Sequence, residues 1–371
     1  MKKRVFFLLY SMDIGGVEKS LLGLLSTLDK DEYEVHIGLL RPVGGFLTML
    51  PDWVIVHHCF QGIWKEVNKP PMQTIKEALK KGHLIEALIH VFLYAVYKLT
   101  LDKTLFYQYL LRNEPLIEGE FDAAHSYAGP APMLDYYVCR KLKAKERYTW
   151  VHFDVKKNGV DKVMGRRFYK EFNKIYVVSQ GAKQNFDSIF PEFKEKTEVR
   201  YNVLNPKDVM ALASQAPSFD DDFQGQRILT VGRLSQEKGQ DMAIHALKML
   251  VDKGYDLRWY FVGDGLFRKE CERLAHEMNL DDRVVFLGMQ TNPYGYMRDC
   301  DVYVQPSHHE GYCITLAEAR CFTAPIVATH FTGAEEQLKT YPQSAVIAMT
   351  PEGVAEGVEK FLRTLNNLNK L

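Results

Sequence analysis

The chain alternates between short apolar strands and helical patterns along most of its length. Strand candidates at residues 4–10, 35–40, 123–125, 148–151 and 174–178 are separated by segments of helical periodicity. The alternation breaks near residues 201–206 and resumes at residue 228, and a final helix is predicted at 352–367. Alternating strands and helices form parallel sheets with helices on both faces. The sequence therefore predicts an α/β protein of two Rossmann-like, doubly wound domains, residues 1–205 and 206–371, facing each other across a cleft.

Composition narrows the class of protein. The 371 residues include 47 lysines and arginines against 47 aspartates and glutamates, so no positive excess indicates nucleic-acid binding. The six cysteines form no C-x-x-C pair and no zinc spacing, which favours a reduced compartment. The apolar run at residues 5–10 is too short for a signal peptide and soon meets Asp13 and Glu18. We therefore expect a cytoplasmic globular protein.

The segment 301–320 carries the strongest functional signal. A strand at residues 302–304 leads through a loop with Glu310 and Gly311 to a helix predicted to begin near Thr315, with Glu318 in its first turn. Parallel sheets bind ligands at the carboxyl ends of their strands, and helix N-termini attract phosphate. Carboxylates cannot bind that phosphate, so we expect them to bind hydroxyl groups attached to it. A diphosphate with hydroxyl groups on both sides is a nucleotide-sugar.

The two glutamates differ in how well a purely structural role fits them. Thr315-x-x-Glu318 matches a capping box, in which the glutamate only satisfies a backbone N–H of the helix start. That interpretation and a ligand-binding one fit Glu318 equally well. Glu310 lies in a loop beside Gly311, where no capping role is available, so it is the better functional candidate.

Two basic residues follow the strand predicted at 228–231. Gly232 permits close backbone approach, Arg233 offers a planar guanidinium, and Lys238 adds a compact charge. An arginine and a lysine at the carboxyl end of a strand suit a diphosphate leaving group where no metal is present. For either residue alone, an ordinary solvated loop is the better interpretation, so the prediction depends on their shared position.

Other signals in the second half are weaker. Gly263 follows the strand predicted at 257–262, and the strand end at Leu287 exposes backbone that can recognise the edge of a base. The acidic run at 220–222 fits a solvated loop better than a metal site. His308 and His309 have no partners at metal-ligand spacing. We therefore expect no metal site.

In the first half, two loop segments are candidates. Gly15 and Gly16 connect the first strand to its helix, but they do not form G-x-G-x-x-G, which argues against a nicotinamide-dependent dehydrogenase. The paired glycines still allow backbone N–H groups near a phosphate or sugar. His152 ends a strand, where a cleft-facing role competes with the commoner structural one. His125 is a similar, weaker candidate.

Residues 76–112 contain a wide apolar stripe at helical spacing, from Leu84 to Leu99, flanked by lysines and Arg112. Glu86 and His90 are predicted on the opposite face. Charged residues within the run argue against a membrane-spanning helix. One interpretation is a helix whose broad apolar face covers the core or a dimer interface. The other is an interfacial helix that docks on an anionic membrane and faces a lipid-linked acceptor.

Taken together, these motifs resemble the retaining glycosyltransferases of family 4, also called glycosyl transferases group 1, which have the GT-B fold. The resemblance covers nearly all of the second half, through residues 231–239 (VGRLSQEKG), 262–265 (VGDG), 285–288 (VFLG) and 310–319 (EGYCITLAEA). The last segment is similar to the E-x7-E element of the family. The first half matches more loosely, through the Gly15-Gly16 pair, residues 150–152 and residues 177–180.

The resemblance implies roles for the matched positions. Arg233 and Lys238 are expected to bind the donor diphosphate, Glu310 the donor-sugar hydroxyls and Glu318 the ribose. His152 is expected to hydrogen-bond the transferred sugar, and Gly16 to approach the donor. The remaining donor-binding positions are expected to act through backbone or loop conformation: Gly15, Gly232, Gly263, Leu287, Gly311, Tyr312, Cys313, Ile314, Thr315 and Leu316. The final helix is expected to pack back on the first domain.

The function implied is metal-independent transfer, with retention, of a sugar from a UDP-sugar, without a cofactor. The expected acceptor is a glycan, lipid-linked and of the capsule, exopolysaccharide, O-antigen or teichoic acid type, at the inner face of the cytoplasmic membrane, with peripheral contact through residues 76–112. Two alternatives stay open. One is another GT-B enzyme, such as a sugar-nucleotide epimerase or an ADP-glucose-dependent synthase. The other is a non-catalytic sugar-nucleotide-binding partner.

Overall fold

The computed structural model describes residues 2–60 and 69–368. The chain divides into two compact units, each built around one sheet. The first contains the residues up to Val178 together with Lys183–Arg200, and the second contains Ser179–Ala182 and the chain from Tyr201 onward. The predicted domain boundary was residue 205, whereas the chain passes from the first unit to the second after Arg200. Both sheets are parallel throughout, so the predicted α/β class of two doubly wound sheets is confirmed.

The sheet of the first unit has seven strands in the order β3-β2-β1-β4-β5-β6-β7. The strands are β1 (Lys3–Leu9), β2 (Tyr33–Leu39), β3 (Ile55–His58), β4 (Glu120–Ser126), β5 (Lys143–Val151), β6 (Lys174–Val177) and β7 (Thr197–Val199). Its helices are α1 (Gly16–Leu25), α2 (Pro71–Lys80), α3 (Leu84–Thr100), α4 (Thr104–Leu110), α5 (Pro132–Arg140), α6 (Val155–Asn158) and α7 (Lys162–Phe168). Helix α8 (Gln180–Ile189) begins within the Ser179–Ala182 segment of the second unit.

The sheet of the second unit has six strands in the order β10-β9-β8-β11-β12-β13. The strands are β8 (Gln226–Val231), β9 (Leu257–Val262), β10 (Val284–Gly288), β11 (Val302–Gln305), β12 (Ile326–Thr329) and β13 (Ser344–Ile347). The helices are α9 (Pro206–Ser214), α10 (Gln240–Asp252), α11 (Arg268–Glu277), α12 (Tyr294–Asp299), α13 (Ile314–Ala319), α14 (Ala334–Leu338) and α15 (Pro351–Leu368).

The second sheet is buried on both faces. Trp259 and Phe261 of β9 belong to the cluster formed with α10, α11 and α15. Their neighbours Tyr260 and Val262 belong to the cluster on the other face, with α9, α12 and α13. Successive strand residues point to opposite faces, so a parallel strand covered on both sides must be apolar at every position. The strand ends are therefore held by two packed layers of side chains.

Helix α3 does not cover a core with its apolar stripe. Leu84, Leu88 and Phe92 are exposed, whereas Ala87, His90 and Leu93 are buried. The core-facing interpretation of this stripe is therefore wrong, as is the prediction that His90 lies on the outward polar face. His90 packs its ring against Tyr109 instead, at 5.4 Å between centroids. No helix in the described ranges is long and apolar enough to cross a membrane.

The last helix, α15, packs within its own unit. Its contacts in the described part of the chain include α10 and the strands β11, β12 and β13. Val354, Val358 and Leu362 on one face of α15 are buried in the cluster beneath it. The return of this helix to the first domain stays a prediction.

Candidate functional site

The carboxyl ends of β8, β9 and β11 bring three loops of the second unit together. The N–H of Gly232 donates to the carbonyl of Val262 at 2.9 Å. A Cβ on Gly263, which has φ +138°, would lie 2.0 Å from the Gly232 oxygen. Gly239 has φ +68°, and a Cβ there would lie 2.0 Å from the Pro306 oxygen. These close backbone crossings require glycine and fix the loops relative to one another.

Lys238 and Glu310 form an ion pair where these loops meet. The Lys238 Nζ lies 2.6 Å from Glu310 Oε1, and the side chains are only 18% and 9% exposed. The Ser307 hydroxyl donates to the same carboxylate oxygen at 2.8 Å. Burial alone would lower the pKa of Lys238, but the negative charge of Glu310 outweighs it and raises that pKa above its ordinary value. Lys238 is therefore charged at neutral pH.

Arg233 lies on the loop beside this pair. Its side chain is exposed and forms no ion pair with any residue that the structure describes. The Gln240 side-chain nitrogen donates to its backbone carbonyl at 3.0 Å. Lys238 Cδ lies 3.9 Å from the position that a Cβ would take on the neighbouring Gly232. An unneutralised guanidinium and a buried ammonium thus lie on one loop, next to a carboxylate.

The loop after Glu310 ends in an unusual helix start. Helix α13 begins at Ile314, and its N-cap is Cys313, a non-glycine residue in the left-handed region with φ +66°. The Thr315 hydroxyl donates to Gln305 Oε1 at 3.1 Å instead of capping the helix. The helix start predicted near Thr315 is confirmed to within one residue, but the Thr315–Glu318 capping box is wrong, because the first turn of the helix contains no acidic residue.

Glu318 lies on α13 and is completely buried. The Tyr294 hydroxyl donates to its Oε1 at 2.9 Å. Burial and the charge of Glu318 raise the pKa of Tyr294 far above its ordinary value. Sequence analysis missed Tyr294, which follows Asn292-Pro293 in a segment typical of a turn.

The remaining donor-binding candidates are available mainly through their backbone. The Ser179 hydroxyl donates to the Gly311 carbonyl at 3.0 Å, and the Gln337 amide donates to the Tyr312 carbonyl. The Leu287 carbonyl accepts from the Gln290 side chain at 3.0 Å. Leu316 is fully buried in the core below the loop. The loop from Gly311 to Leu316 is therefore held from both sides.

In the first unit, Gly15 and Gly16 connect β1 to α1. Gly15 is the N-cap of α1 and has an extended backbone, with φ −149°. A Cβ on Gly15 would lie 2.5 Å from the carboxylate oxygen of Glu18. The adjacent loop is fixed by the Ser11 hydroxyl, which donates to Asp13 at 2.6 Å. Gly15 and Gly16 have no side chains that cover their backbone, and Gly15 does not adopt a left-handed conformation.

His152 follows β5 and packs among aromatic rings. It stacks on Trp150 with an interplanar angle of 6° and lies 4.9 Å from the Tyr127 ring. It donates to the backbone carbonyl of Tyr127, and its buried Nε2 has no hydrogen-bond partner among the described residues. Burial lowers its pKa to about 4. His152 is therefore neutral at pH 7 and offers Nε2 as a hydrogen-bond acceptor.

His125 has a structural environment. It is stacked between Phe7 and Tyr148 at 4.6 and 4.9 Å, and its Nδ1 accepts from the Trp150 indole at 3.2 Å. Burial, with a smaller contribution from Arg200, lowers its pKa to about 3. Both the position of the ring and its hydrogen bond are accounted for by packing.

The side chains suggested for metal binding are engaged elsewhere. Asp221 pairs with Arg227 and Arg258, and His309 lies 3.6 Å from Glu237. In the ranges that the structure covers, no three histidine, cysteine or acidic side chains are grouped to bind a metal ion. Metal independence stays a prediction.

Comparison with known proteins adds a family match for the second half of the chain. The family model described as glycosyl transferases group 1 matches residues 218–371. An N-acetylgalactosamine-N,N'-diacetylbacillosaminyl-diphospho-undecaprenol 4-alpha-N-acetylgalactosaminyltransferase of Campylobacter jejuni is 30% identical over 48% of this chain and 47% of its own. The chain thus spans about half the length of this curated relative. An uncharacterized glycosyltransferase of Haemophilus influenzae is 22% identical over 94% of this chain and 86% of its own.

Solved structures share the two-unit architecture. HepE of Anabaena, in a crystal structure with UDP and glucose, has a TM-score of 0.65 and 19% identity. The superposition covers 96% of this chain and 89% of HepE, which establishes a common GT-B fold. Residues 218–371 thus match the glycosyl transferases group 1 family, and the chain shares the GT-B fold with solved glycosyltransferase structures.

Proposed function

We propose that the protein is a retaining glycosyltransferase that moves a sugar from a UDP-sugar to a cell-surface glycan precursor. The carrying observation is the buried Lys238–Glu310 pair beside the unneutralised Arg233. The cations suit the diphosphate as its bond to the sugar breaks, and the carboxylate suits sugar hydroxyl groups. A donor with both groups is a sugar nucleotide, and the match of residues 218–371 to the glycosyl transferases group 1 model favours its use in transfer.

The uridine nucleotide and the role of His152 are further parts of this proposal. The Anabaena structure with UDP and glucose supports UDP-sugar as the donor class. The neutral His152, with Nε2 free to accept, suits a hydroxyl group of the transferred sugar. We propose no metal or cofactor, because Arg233 and Lys238 supply the positive charge that the departing diphosphate needs.

The donor is tested by measuring turnover and binding. The protein is incubated with a panel of UDP-sugars and ADP-glucose, and UDP or ADP release is followed with and without lipid extract as acceptor. We expect UDP release and stabilisation of the fold by UDP. No release and no stabilisation with any UDP-sugar or with UDP overturns the proposal. If the sugar is converted to another sugar and is neither transferred nor hydrolysed, the result favours an epimerase. Binding of the nucleotide without any turnover favours a non-catalytic partner.

We propose a lipid-linked acceptor at a membrane surface. The segment 69–112 contains seven basic and three acidic residues, although the whole chain is balanced. The apolar side chains exposed on α3 lie in this segment: Leu84, Ile85, Leu88, Val91, Phe92 and Leu99. Apolar side chains next to positive charge are typical of a surface that binds anionic lipids. The name of the Campylobacter relative, which includes a diphospho-undecaprenol group, supports the same acceptor class.

A cavity beside this face fits the same proposal. Its volume is about 600 Å³, and its lining includes Leu84, Ile85, Ile89, Tyr109 and Arg112. The Arg112 guanidinium lies 3.8 Å from the centre of the Tyr109 ring and donates to the Tyr109 carbonyl at 2.6 Å. The lining also includes His83 and Glu86. Its apolar side chains and the fixed guanidinium of Arg112 suit an amphiphile with a phosphate head group.

Vesicle binding tests the membrane contact. We expect the protein to sediment with phosphatidylglycerol vesicles and to bind phosphatidylcholine vesicles weakly. The variant Leu88→Ser/Phe92→Ser removes two exposed apolar groups and should bind anionic vesicles about tenfold or more weakly, since each costs roughly 1.5–3 kcal/mol of burial when fully inserted. Leu266→Ser, at an exposed leucine of the second unit, is the control. Equal binding by all three proteins contradicts a membrane contact through α3.

A further inference from the structure

A chain of buried side-chain hydrogen bonds leads from the end of β11 to Glu310. Gln305 is the last residue of β11, Ser307 follows Pro306, and Gln305 and Ser307 are both completely buried. The Gln305 amide nitrogen donates to the Ser307 hydroxyl at 2.9 Å. The Ser307 hydroxyl donates to Glu310 Oε1 at 2.8 Å. The strand end and the loop carboxylate are thus joined by two side chains.

The oxygen of the Gln305 amide is also occupied. It accepts from the Tyr303 hydroxyl at 2.8 Å and from the Thr315 hydroxyl at 3.1 Å. Two hydroxyl donors identify this end of the amide as the oxygen, so the nitrogen faces Ser307. Because the Gln305 amide nitrogen can only donate, the Ser307 oxygen accepts from it, and the Ser307 hydroxyl proton is donated to Glu310. The order of donors and acceptors along the chain is therefore fixed.

This chain leaves one carboxylate oxygen of Glu310 for a ligand. Oε1 receives both the Lys238 ammonium and the Ser307 hydroxyl. Oε2 forms no hydrogen bond with any residue in the described part of the chain. With Oε1 held by two donors from different loops, the carboxylate cannot rotate without losing both. Oε2 is therefore presented in one orientation.

We propose that Gln305 and Ser307 are positioning residues that orient the Glu310 carboxylate toward the hydroxyl groups of the donor sugar. This inference rests on the proposed function and extends it to residues that touch neither sugar nor nucleotide. Buried polar networks are strong when every member has a partner, because the interior screens their interactions weakly. A displacement of about 1 Å at a catalytic group can cost about a hundredfold in rate.

Gln305→Met tests the inference, because methionine has a similar length but cannot bridge Tyr303, Thr315 and Ser307. The kcat for UDP-sugar turnover should fall about tenfold to a hundredfold, because Glu310 loses its fixed orientation. Affinity for UDP alone should change by less than about twofold, because UDP carries no sugar for Glu310 to bind. Ser307→Ala removes only the donor to Glu310 and should lower kcat in the same way; it replaces Gln305→Met if that variant does not fold.

Thr230→Val is the matched control. The Thr230 hydroxyl donates to the Val304 carbonyl at 2.8 Å and accepts from the Trp259 indole at 3.0 Å. This network is buried in the same unit and does not include Glu310. Thr230→Val should lower the melting temperature about as much as Gln305→Met and leave kcat within about twofold of the unmodified protein, because lost stability away from the site does not alter the bound transition state.

The decisive comparison is made in a Glu310→Gln background. If Gln305 acts through Glu310, adding Gln305→Met there should lower kcat no further. The inference is overturned if Gln305→Met keeps full kcat, if Thr230→Val loses as much, or if the loss persists undiminished in the Glu310→Gln background. In these cases the unmodified protein still turns over a UDP-sugar, so the proposed function survives. Absence of turnover by the unmodified protein instead removes the proposed function, and the inference with it.

Discussion

The candidate residues of the two units differ in charge. In the second unit, Lys238, Glu310 and Arg233 place full charges at the ends of parallel strands. In the first unit, His125 and His152 lie among aromatic rings, and burial keeps them neutral. The second unit is thus suited to stabilising charge that changes during a reaction. The first is suited to accepting hydrogen bonds from neutral hydroxyl groups.

The difference follows from how each site meets the cost of burial. A buried ammonium is tolerated because a carboxylate lies 2.6 Å away and a hydroxyl donates to the same carboxylate oxygen. The histidines have no such counter-charge, so their rings lose the proton instead. A buried side chain therefore stays charged where a residue of opposite charge lies beside it.

The largest expected effect is on the charged site. Lys238→Met removes the ammonium and leaves the Glu310 carboxylate buried without its counter-ion. We expect kcat for UDP-sugar turnover to fall by about 10²–10³, the usual result of removing one electrostatic stabiliser. Lys253→Met is the control, since Lys253 pairs with Glu359 on the helical side of the same unit at 2.8 Å. If Lys238→Met keeps more than about a tenth of kcat, the assignment of charge stabilisation to this unit fails.

The next effect belongs to the neutral histidines. Their folded pKa values of about 3 and about 4 lie below the ordinary 6.5, so the unfolded chain binds more protons once the pH falls below 6.5. The contribution of these two histidines to stability is therefore complete above pH 6.5 and is lost as the pH falls toward their folded pKa values. Each histidine should contribute a slope of up to about 1.4 kcal/mol per pH unit in that window.

Unfolding of the protein between pH 7.5 and pH 4.5 measures this slope. His125→Phe retains a ring between Phe7 and Tyr148 and should remove from the slope the contribution of His125, up to about 1.4 kcal/mol per pH unit. His276→Phe is the control, because His276 is exposed on α11. If the pH dependence of stability is unchanged in His125→Phe, His125 is not a titrating group. The contrast between neutral histidines in the first unit and charged residues in the second then rests on His152 alone.

Sequence patterns predicted the parts of the site that depend on local order. Arg233, Lys238 and Glu310 lie in loops that follow strands, and parallel topology places such loops at one edge of a sheet. Glu318 lies on the helix after the last of these loops. The strands β3, β7 and β13 were not predicted, because they are short edge strands whose residues are mostly exposed or only partly buried. Helix α3 shows another limit, since periodicity identifies an apolar face but not what covers it.

The sequence did not predict hydrogen bonds between residues that are far apart in the chain. Nothing in the local pattern indicates that Tyr294 bonds Glu318, or that Gln305 connects Thr315 to Ser307. The capping-box prediction failed for a related reason. A left-handed cysteine as N-cap is rare enough that the sequence favoured Thr315, two residues later.

Tyr294→Phe sharpens the comparison within the second unit, where a neutral hydroxyl rather than a cation holds the buried Glu318. Losing this donor should weaken UDP binding about tenfold, in the range of 1–3 kcal/mol for a buried acceptor deprived of its partner. Tyr296→Phe is the control: Tyr296 lies on the same helix and packs its ring 5.2 Å from Phe219. Calorimetric titration with UDP measures both. Equal affinities for the two variants contradict a role for Tyr294 in orienting Glu318.

The smallest effect concerns backbone conformation, where the two units are again opposite. Gly15 occupies an extended position that any residue adopts, whereas Cys313 occupies a left-handed position that favours glycine. Cys313→Ala removes the buried sulfur and keeps the backbone strain, whereas Cys313→Gly removes the sulfur and the strain. We therefore expect the glycine variant to be more stable than the alanine variant by roughly 0.5–1 kcal/mol, measured by urea unfolding. At Gly15, alanine meets only the flexible end of Glu18, so Gly15→Ala should cost less than about 0.5 kcal/mol. The reverse order at position 313 means that the left-handed backbone costs alanine less than the conformational entropy that glycine adds to the unfolded chain.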